Sequence, residues 1–406
     1  VETLIPKDAK ILLKPNLLKK SRGRESSDHT SGCSRSFCGN PALKVGMRIL
    51  RCLCGIYVSQ LFKSKENIPM SEALPIIMER GLKKRWMGVL FAVLITITFG
   101  LAFNSVQSNT MSAALQSAFS IEPLNSGIVI SVLTLVIIFG GVHRIAAISS
   151  VIVPVMAVGY IALALFVVLA NIDRIPAVVE QIVGNAFGWH QAVGGGIGTA
   201  LMQGIKRGLF SNEAGMGSAP NAAATAHVTH PAKQGFIQAL GVFTDTLLIC
   251  SCTAFIILFG EDYIGSGLDG IQLTQAALTS EVGNIGGIYV AIATLFFAYS
   301  SILGNYYYGE ANIRFFTSRQ WPVVLYRMLV GGMVLFGSLA SLNLVWNLAD
   351  VTMALMSICN LIAISLLGKY AFRLLDDYLA QKRKGIKSPV FHKEQMKDIE
   401  QDLECW

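Results

Sequence analysis

The sequence predicts an all-α polytopic membrane protein, and three observations carry that prediction. Several apolar stretches reach the ~20 residues that an α-helix needs to cross a bilayer. Hydrophobic residues make up 53% of the chain and charged residues 14%, with a mean hydropathy of +0.54, far from the balance of a soluble domain. Where the apolar runs stop, Lys and Arg recur at alternate ends, as the positive-inside rule requires. No Ser/His/Asp constellation, Walker loop or zinc-ligand spacing accompanies these runs. An enzyme is therefore not expected, nor an organic cofactor.

The charge is unevenly placed. Residues 1–70 hold 13 Lys/Arg against 5 Asp/Glu, whereas residues 71–406 hold 20 of each. The net charge of +8 thus belongs to the N-terminal segment. Few aromatics interleave with that charge, so nucleic acid is not an expected partner. Residues 1–78 read as a divergent basic segment with no uncharged run long enough to span. A surface amphipathic helix around Val45–Leu61 is the most they suggest. Cys33, Cys38, Cys52 and Cys54 lack a zinc spacing, and Cys250, Cys252 and Cys359 read as core thiols.

From Lys83 the pattern becomes that of a membrane core, residues 79–372, followed by a charged cytoplasmic tail, residues 373–406. The first helix covers about Trp86–Leu115 and carries Asn104, Ser105, Gln107, Ser108 and Asn109 in its second half. The second covers Asn125–Phe139. The third covers Ile145–Asn171, with Pro154 as the expected kink. The fourth apolar region is Val193–Thr225. Helices at Gly235–Leu258, Ile285–Asn312, Pro322–Leu342 and Val345–Leu367 complete eight crossings. With Lys83–Arg85 inside, Arg144, Lys233, Arg314/Arg319 and Lys382–Lys384 all fall inside, and Glu122, Asp173/Arg174 and Glu261/Asp262/Asp269 outside.

The fourth region is unlike the others. Lys206–Thr225, KRGLFSNEAGMGSAPNAAAT, sets two cations, a carboxylate and two amides among glycines and a proline. Gly215, Gly217 and Pro220 predict a break between Ser211 and Ser218. In hydrocarbon an irregular backbone persists only where it is buried in protein or lines a cavity. A broken span offers free N–H groups from one half and free carbonyls from the other, which suits a small zwitterion together with a cation. The alternative is a plain glycine kink between packed helices.

Arg207–Ala224 closely resembles the signature of the alanine or glycine:cation symporters. Arg85–Val93 (RWMGVLFAV), Val106–Asn109 (VQSN), Val242–Ile249 (VFTDTLLI), Phe296–Asn312 (FFAYSSILGNYYYGEAN) and Val345–Asp350 (VWNLAD) resemble the same family, in order, over about Glu79–Gln401. The resemblance implies a leucine-transporter-like inverted repeat whose first helix in each half is broken. The fourth helix here then opens the second half. The first two core helices are missing or unrecognisable in residues 1–78, which suggests a frameshifted, truncated or degenerate frame. The implied activity is sodium-coupled import of alanine, glycine or a similar small neutral amino acid across the bacterial cytoplasmic membrane. The alternative is a non-transporting remnant.

On that basis the substrate carboxylate meets the N–H groups of Gly215, Gly217 and Ser218, and Ala214 and Gly215 leave room for a methyl-sized side chain. Ser211, Asn212 and Glu213 complete the segment, with Asn104 and Gln107 reaching towards it. Sodium, the coupling ion, meets the carbonyls of Phe210–Asn212 and the hydroxyls of Ser300 or Ser301. Arg207 is expected to pair with Glu213 or Asp245. Tyr306–Tyr308 read as packing or belt residues.

Overall fold

The computed structural model describes residues 54–63, 74–140, 142–187, 196–213, 215–260, 266–403, 405 and 406, with backbone alone for 142–153, 185–187 and 196–200. Residues 1–53, and with them Cys33, Cys38 and Cys52, lie outside the described residues, as does Ala214. All regular structure among the described residues is helical. The elements are α1 (residues 54–61), α2 (Leu74–Leu82), α3 (Arg85–Phe119), α4 (Pro123–Phe139), α5 (Val142–Ala170), α6 (Ile175–Phe187), α7 (Gly196–Asn212) and α8 (Ala219–Ala224). There follow α9 (Pro231–Phe259), α10 (Ile271–Val282), α11 (Asn284–Phe316), α12 (Gln320–Leu339) and α13 (Leu342–Arg383).

The apolar runs end where they should. Pro123 opens α4 at its first turn, where its missing N–H costs nothing, and Pro231 does the same for α9. Five helices, α3, α9, α11, α12 and α13, are long and apolar enough to cross a membrane. The limbs Pro154–Ala170 and Ile172–Gly184, bent by 74° at Asn171, make a sixth if taken as one span. At 17 residues α4 is shorter.

Two helices contain a wider π turn in mid-span: Thr98–Phe103 in α3 and Thr244–Cys250 in α9. In α3 this turn faces Tyr326 of α12, whose ring sits between Gly100 and Gly309 of α11. A side chain at Gly309 would occupy the space of the tyrosine hydroxyl, so this three-helix junction requires glycine there. Next to it Tyr306, fully buried, stacks on Tyr326 with ring centroids 5.7 Å apart. Tyr308 meets Phe99 edge-on at 5.1 Å. These tyrosines pack, as expected.

A buried ionic network holds the same junction. Glu310, 1% exposed, accepts from Arg314 Nη2 at 2.7 Å and from Arg327 Nη2 at 3.4 Å, and Tyr306 Oη donates to its Oε2. Arg327 Nε donates to Tyr306 Oη at 2.8 Å. Charges inside the hydrocarbon are tolerated when paired in this way.

Residues 54–61 and the chain after α13 both pack inwards. Residues 54–61 form no surface helix: Ile56, Tyr57, Val58, Gln60 and Leu61 are all buried, because Pro220, Gly235, Ile364 and the C-terminal residues surround them. The tail beyond 373 does not project as a charged appendage. Helix α13 runs on to Arg383, and residues after it fold back, burying Phe391, Met396, Ile399 and Leu403. Phe391 N–H donates to Thr229 O at 3.0 Å, and Trp406 Nε1 donates to Gln60 O at 2.9 Å. His230 anchors this strap. Its Nδ1 accepts the Ala232 N–H at 3.1 Å and caps α9, so its proton lies on Nε2, which donates to Asp377 at 3.0 Å. Burial holds the imidazole pKa below its ordinary value against the opposing pull of Asp377.

Candidate functional site: the break between α7 and α8

Helix α7 stops at Asn212 and α8 starts at Ala219; Glu213 and residues 215–218 between them are not helical. Glu213, Gly215 and Gly217 all take positive φ, +50°, +82° and +92°. Such angles are costly for side chains other than glycine, which explains the glycine spacing that marks the break. At Gly217 space demands glycine too: a Cβ would stand 2.6 Å from Leu74, 2.8 Å from Phe91 and 2.9 Å from Asn360.

Polar side chains from three elements hold the irregular backbone. Asn360 of α13 donates to Gly215 O at 2.9 Å. Asn221 of α8 donates to Gly217 O at 3.3 Å and accepts from Leu74 N–H at 2.7 Å. Ser218 donates to Glu213 Oε2 at 2.5 Å, and Met216 N–H donates to Glu213 O at 3.2 Å, closing the turn on itself. Gln60 of α1 donates to Ala223 O and to Ala226 O, fastening the far side. Such support supplies partners to backbone groups that no helix or strand satisfies.

Arg207 does not meet Glu213 or Asp245. Its Nη2 donates to both oxygens of Asp350, at 2.9 and 3.1 Å, and Lys206 Nζ stands 3.3 Å from the same carboxylate. The reason is helical spacing. Arg207 and Phe210, three apart, share one face of α7, and Trp346 and Asp350, four apart, share one face of α13. The guanidinium lies 4.0 Å over the Trp346 ring, and Phe210 packs between Trp346 at 4.8 Å and Phe103 at 4.6 Å. An aromatic and ionic layer thus closes over one side of the break.

On another side Ser211 and Asn212 meet α9. Ser211 Oγ donates to Asp245 Oδ2 at 2.5 Å, and Thr246 Oγ1 donates to Asn212 Oδ1 at 2.7 Å. Asn212 Nδ2 turns back to Gly208 O at 3.0 Å. Thr246 had not been singled out from sequence alone; the polar triplet Thr244–Thr246 inside an apolar helix was its one signal. Cys250, expected in a core, is exposed beside this group, 3.5 Å from Ser211, because α9 turns this face outwards.

The remaining candidates make no hydrogen bond to the break among the described residues. Ser300 and Ser301 of α11 both donate to Phe297 O of their own helix, at 2.8 and 3.1 Å. Asn104 is fully buried on α3, where its Nδ2 donates to Gly100 O at 3.0 Å and its Oδ1 has no protein partner; Gln107 is half-buried one turn on. Among the described residues no group of three or more His, Cys, Asp or Glu could hold a metal ion.

Comparison with known proteins agrees with the sequence resemblance. A model described as the sodium:alanine symporter family matches residues 53–393. The probable sodium/glutamine symporter GlnT of Bacillus subtilis is 53% identical over 86% of this chain and 73% of its own length. The amino-acid carrier protein AlsT of the same organism is 49% identical over 86% and 74%, respectively. The sodium/alanine symporter AgcS of Methanococcus maripaludis is 37% identical over 75% and 68%. On these matches the chain belongs to the sodium:alanine symporter family, whose members are membrane transporters.

Proposed function

We propose that the protein imports a small neutral amino acid, alanine or glycine in kind, together with sodium, by alternating access across the bacterial cytoplasmic membrane. The observation that carries this reading is the break at 213–218, pinned by side chains of α1, α8 and α13. A span that unwinds at mid-depth presents main-chain groups to a solute that carries both an ammonium and a carboxylate. In this reading α3, α4, α5, α7–α8, α9, α11, α12 and α13 make eight crossings, and α7 opens the second of two inverted repeats. Ser211, Asn212, Glu213 and the backbone at 215–218 bind substrate. Phe210, Trp346, Arg207 and Asp350 form a closure over it that excludes water. Sodium and amino acid favour the same conformation, so each raises the affinity for the other by an equal factor.

Uptake of labelled alanine into liposomes holding the purified chain tests this. The expected result is accumulation driven by an inward sodium gradient and none with choline in its place. Sodium-independent equilibration, or no uptake by monodisperse protein, would overturn the reading. The 53% identity to GlnT favours glutamine as a second candidate. Competition of alanine uptake by glycine and by glutamine separates the two.

A further inference from the structure

We infer that Asp245, Ser211, Asn212 and Thr246 form a sodium site of this transporter, between the end of α7 and the π turn of α9. The inference rests on the sodium-coupled reading above and gives the ion a place.

Asp245 is the central residue of the 29-residue helix Pro231–Phe259, which puts its carboxylate about 21 Å from either end at 1.5 Å per residue. Carboxylates at that depth are expensive and are ordinarily paired. Among the described residues no Lys, Arg or His lies within ion-pair distance of Asp245; the nearby cations of α7, Lys206 and Arg207, are both held by Asp350. Glu310, 1% exposed, has two arginines. Among the described residues Asp245, half-buried, and Glu213 near it have none, which leaves negative charge at this level with its balance still to be supplied.

The groups that hydrogen-bond within this cluster are oxygens, with the Cys250 thiol at its edge, 3.5 Å from Ser211 Oγ. Ser211 Oγ lies 2.5 Å from its Oδ2, and on the next residue Thr246 Oγ1 lies 2.7 Å from Asn212 Oδ1. Each hydroxyl uses its proton on the partner oxygen and keeps its lone pairs, and Asn212 Oδ1 keeps a second one. Helix α7 ends here, and its last carbonyls carry the negative end of the helix dipole. On α9 the π turn Thr244–Cys250 widens the backbone at the same level, a feature that recurs at functional sites. A carboxylate, an amide oxygen, two hydroxyls and free carbonyls make a hard, all-oxygen set. A small hard cation suits it, whereas soft metals, which seek Cys or His, do not. The substrate ammonium is the other cation at hand. It needs only three acceptors in a fixed geometry, and Glu213 is already placed on the break itself.

The test is equilibrium binding of ²²Na⁺ to the purified full chain, with labelled-alanine binding measured in parallel across a range of NaCl. Asp245→Asn is expected to raise the half-saturating sodium concentration at least tenfold, and Ser211→Ala and Thr246→Val severalfold each. Alanine binding should recover at saturating NaCl in Asp245→Asn and Thr246→Val. Thr246→Ser keeps the hydroxyl and should restore wild-type sodium affinity. That result separates ligation from folding, as does an unchanged size-exclusion profile. Wild-type ²²Na⁺ affinity in Asp245→Asn would sink the site. So would a loss of alanine binding that no sodium concentration restores, with ²²Na⁺ binding intact, since that would assign Asp245 to the ammonium. If the wild-type chain itself binds no ²²Na⁺, the sodium-coupled reading falls with the site.

Discussion

The junction of α3, α11 and α12 and the limb formed by α7 and α9 meet the same constraint in opposite ways. Both place charged and polar side chains within the apolar thickness. In the junction the buried charge is matched, Glu310 by two arginines and a tyrosine, and Tyr326 fills a slot between two glycines. In the limb the polar groups lie at the end of α7 and the middle of α9 and are exposed or half-buried. The difference shows in burial, 56% of the apolar window of α3 against 11% of that of α9. A region whose polar groups satisfy one another is a scaffold. A region whose polar groups are held in place yet only partly matched is suited to bind and move.

This contrast breaks first where a matched charge is removed. Glu310→Gln leaves two arginines facing each other in a buried pocket, and we expect a loss of roughly 3–5 kcal/mol, seen as a marked fall in thermal stability by fluorescence-detected size exclusion. In the limb, Arg207→Gln removes a pair whose arginine is 38% exposed. Its stability cost should be about 1 kcal/mol or less, while alanine uptake falls strongly. Equal destabilisation by the two substitutions would erase the distinction between the regions.

Gly217→Ala comes next, at roughly 2–4 kcal/mol, since it adds backbone strain to three close contacts. Gly283→Ala is its control. Gly283 also has positive φ, +75°, but a Cβ there meets nothing within 4 Å. Only the backbone term, roughly 1–3 kcal/mol for φ +75° with ψ −172°, should appear, without the added cost of close contacts. Similar melting temperatures for the two variants would show that the break is not packed as described.

Asn360→Ala should cost about 1–2 kcal/mol by leaving Gly215 O without its donor, and should lower transport more than stability.

The smallest effect concerns the strap. His230 has a pKa depressed by burial, so the unfolded chain binds its proton more readily than the folded one. The stabilisation is complete above the ordinary histidine value of about 6.5 and is lost as pH falls through the depressed value. Protonation at Nδ1 also removes the α9 cap. Protease access to residues 389–406 should therefore rise on acidification, and His230→Gln should remove that pH dependence.

How much of this was legible in the sequence divides along the range of the interaction. The apolar runs placed α3, α4, α5, α9, α11, α12 and the start of α13 within a few residues, because burial in lipid is decided by local hydropathy. The glycine spacing placed the break at 213–218, because positive φ is a local property of the residue that adopts it. The two π turns left no trace, since a single widened turn changes no composition. Helices α2, α6 and α10 were not anticipated either; they are too short or too amphipathic to stand out from loops.

What the sequence alone determined, then, is the class, the long apolar helices and the point where the chain breaks between α7 and α8, all set by side chains acting on their own backbone and on their apolar surroundings. Tertiary structure alone decided the partners. Arg207 chose Asp350, 143 residues away, over two nearer acids because two helix faces happened to align. Thr246 joined Asn212, and Trp406 reached Gln60, across 34 and 346 residues. Hydrogen bonds and ion pairs act over about 3 Å, so which groups they join depends on how whole helices pack, and no run of residues records that.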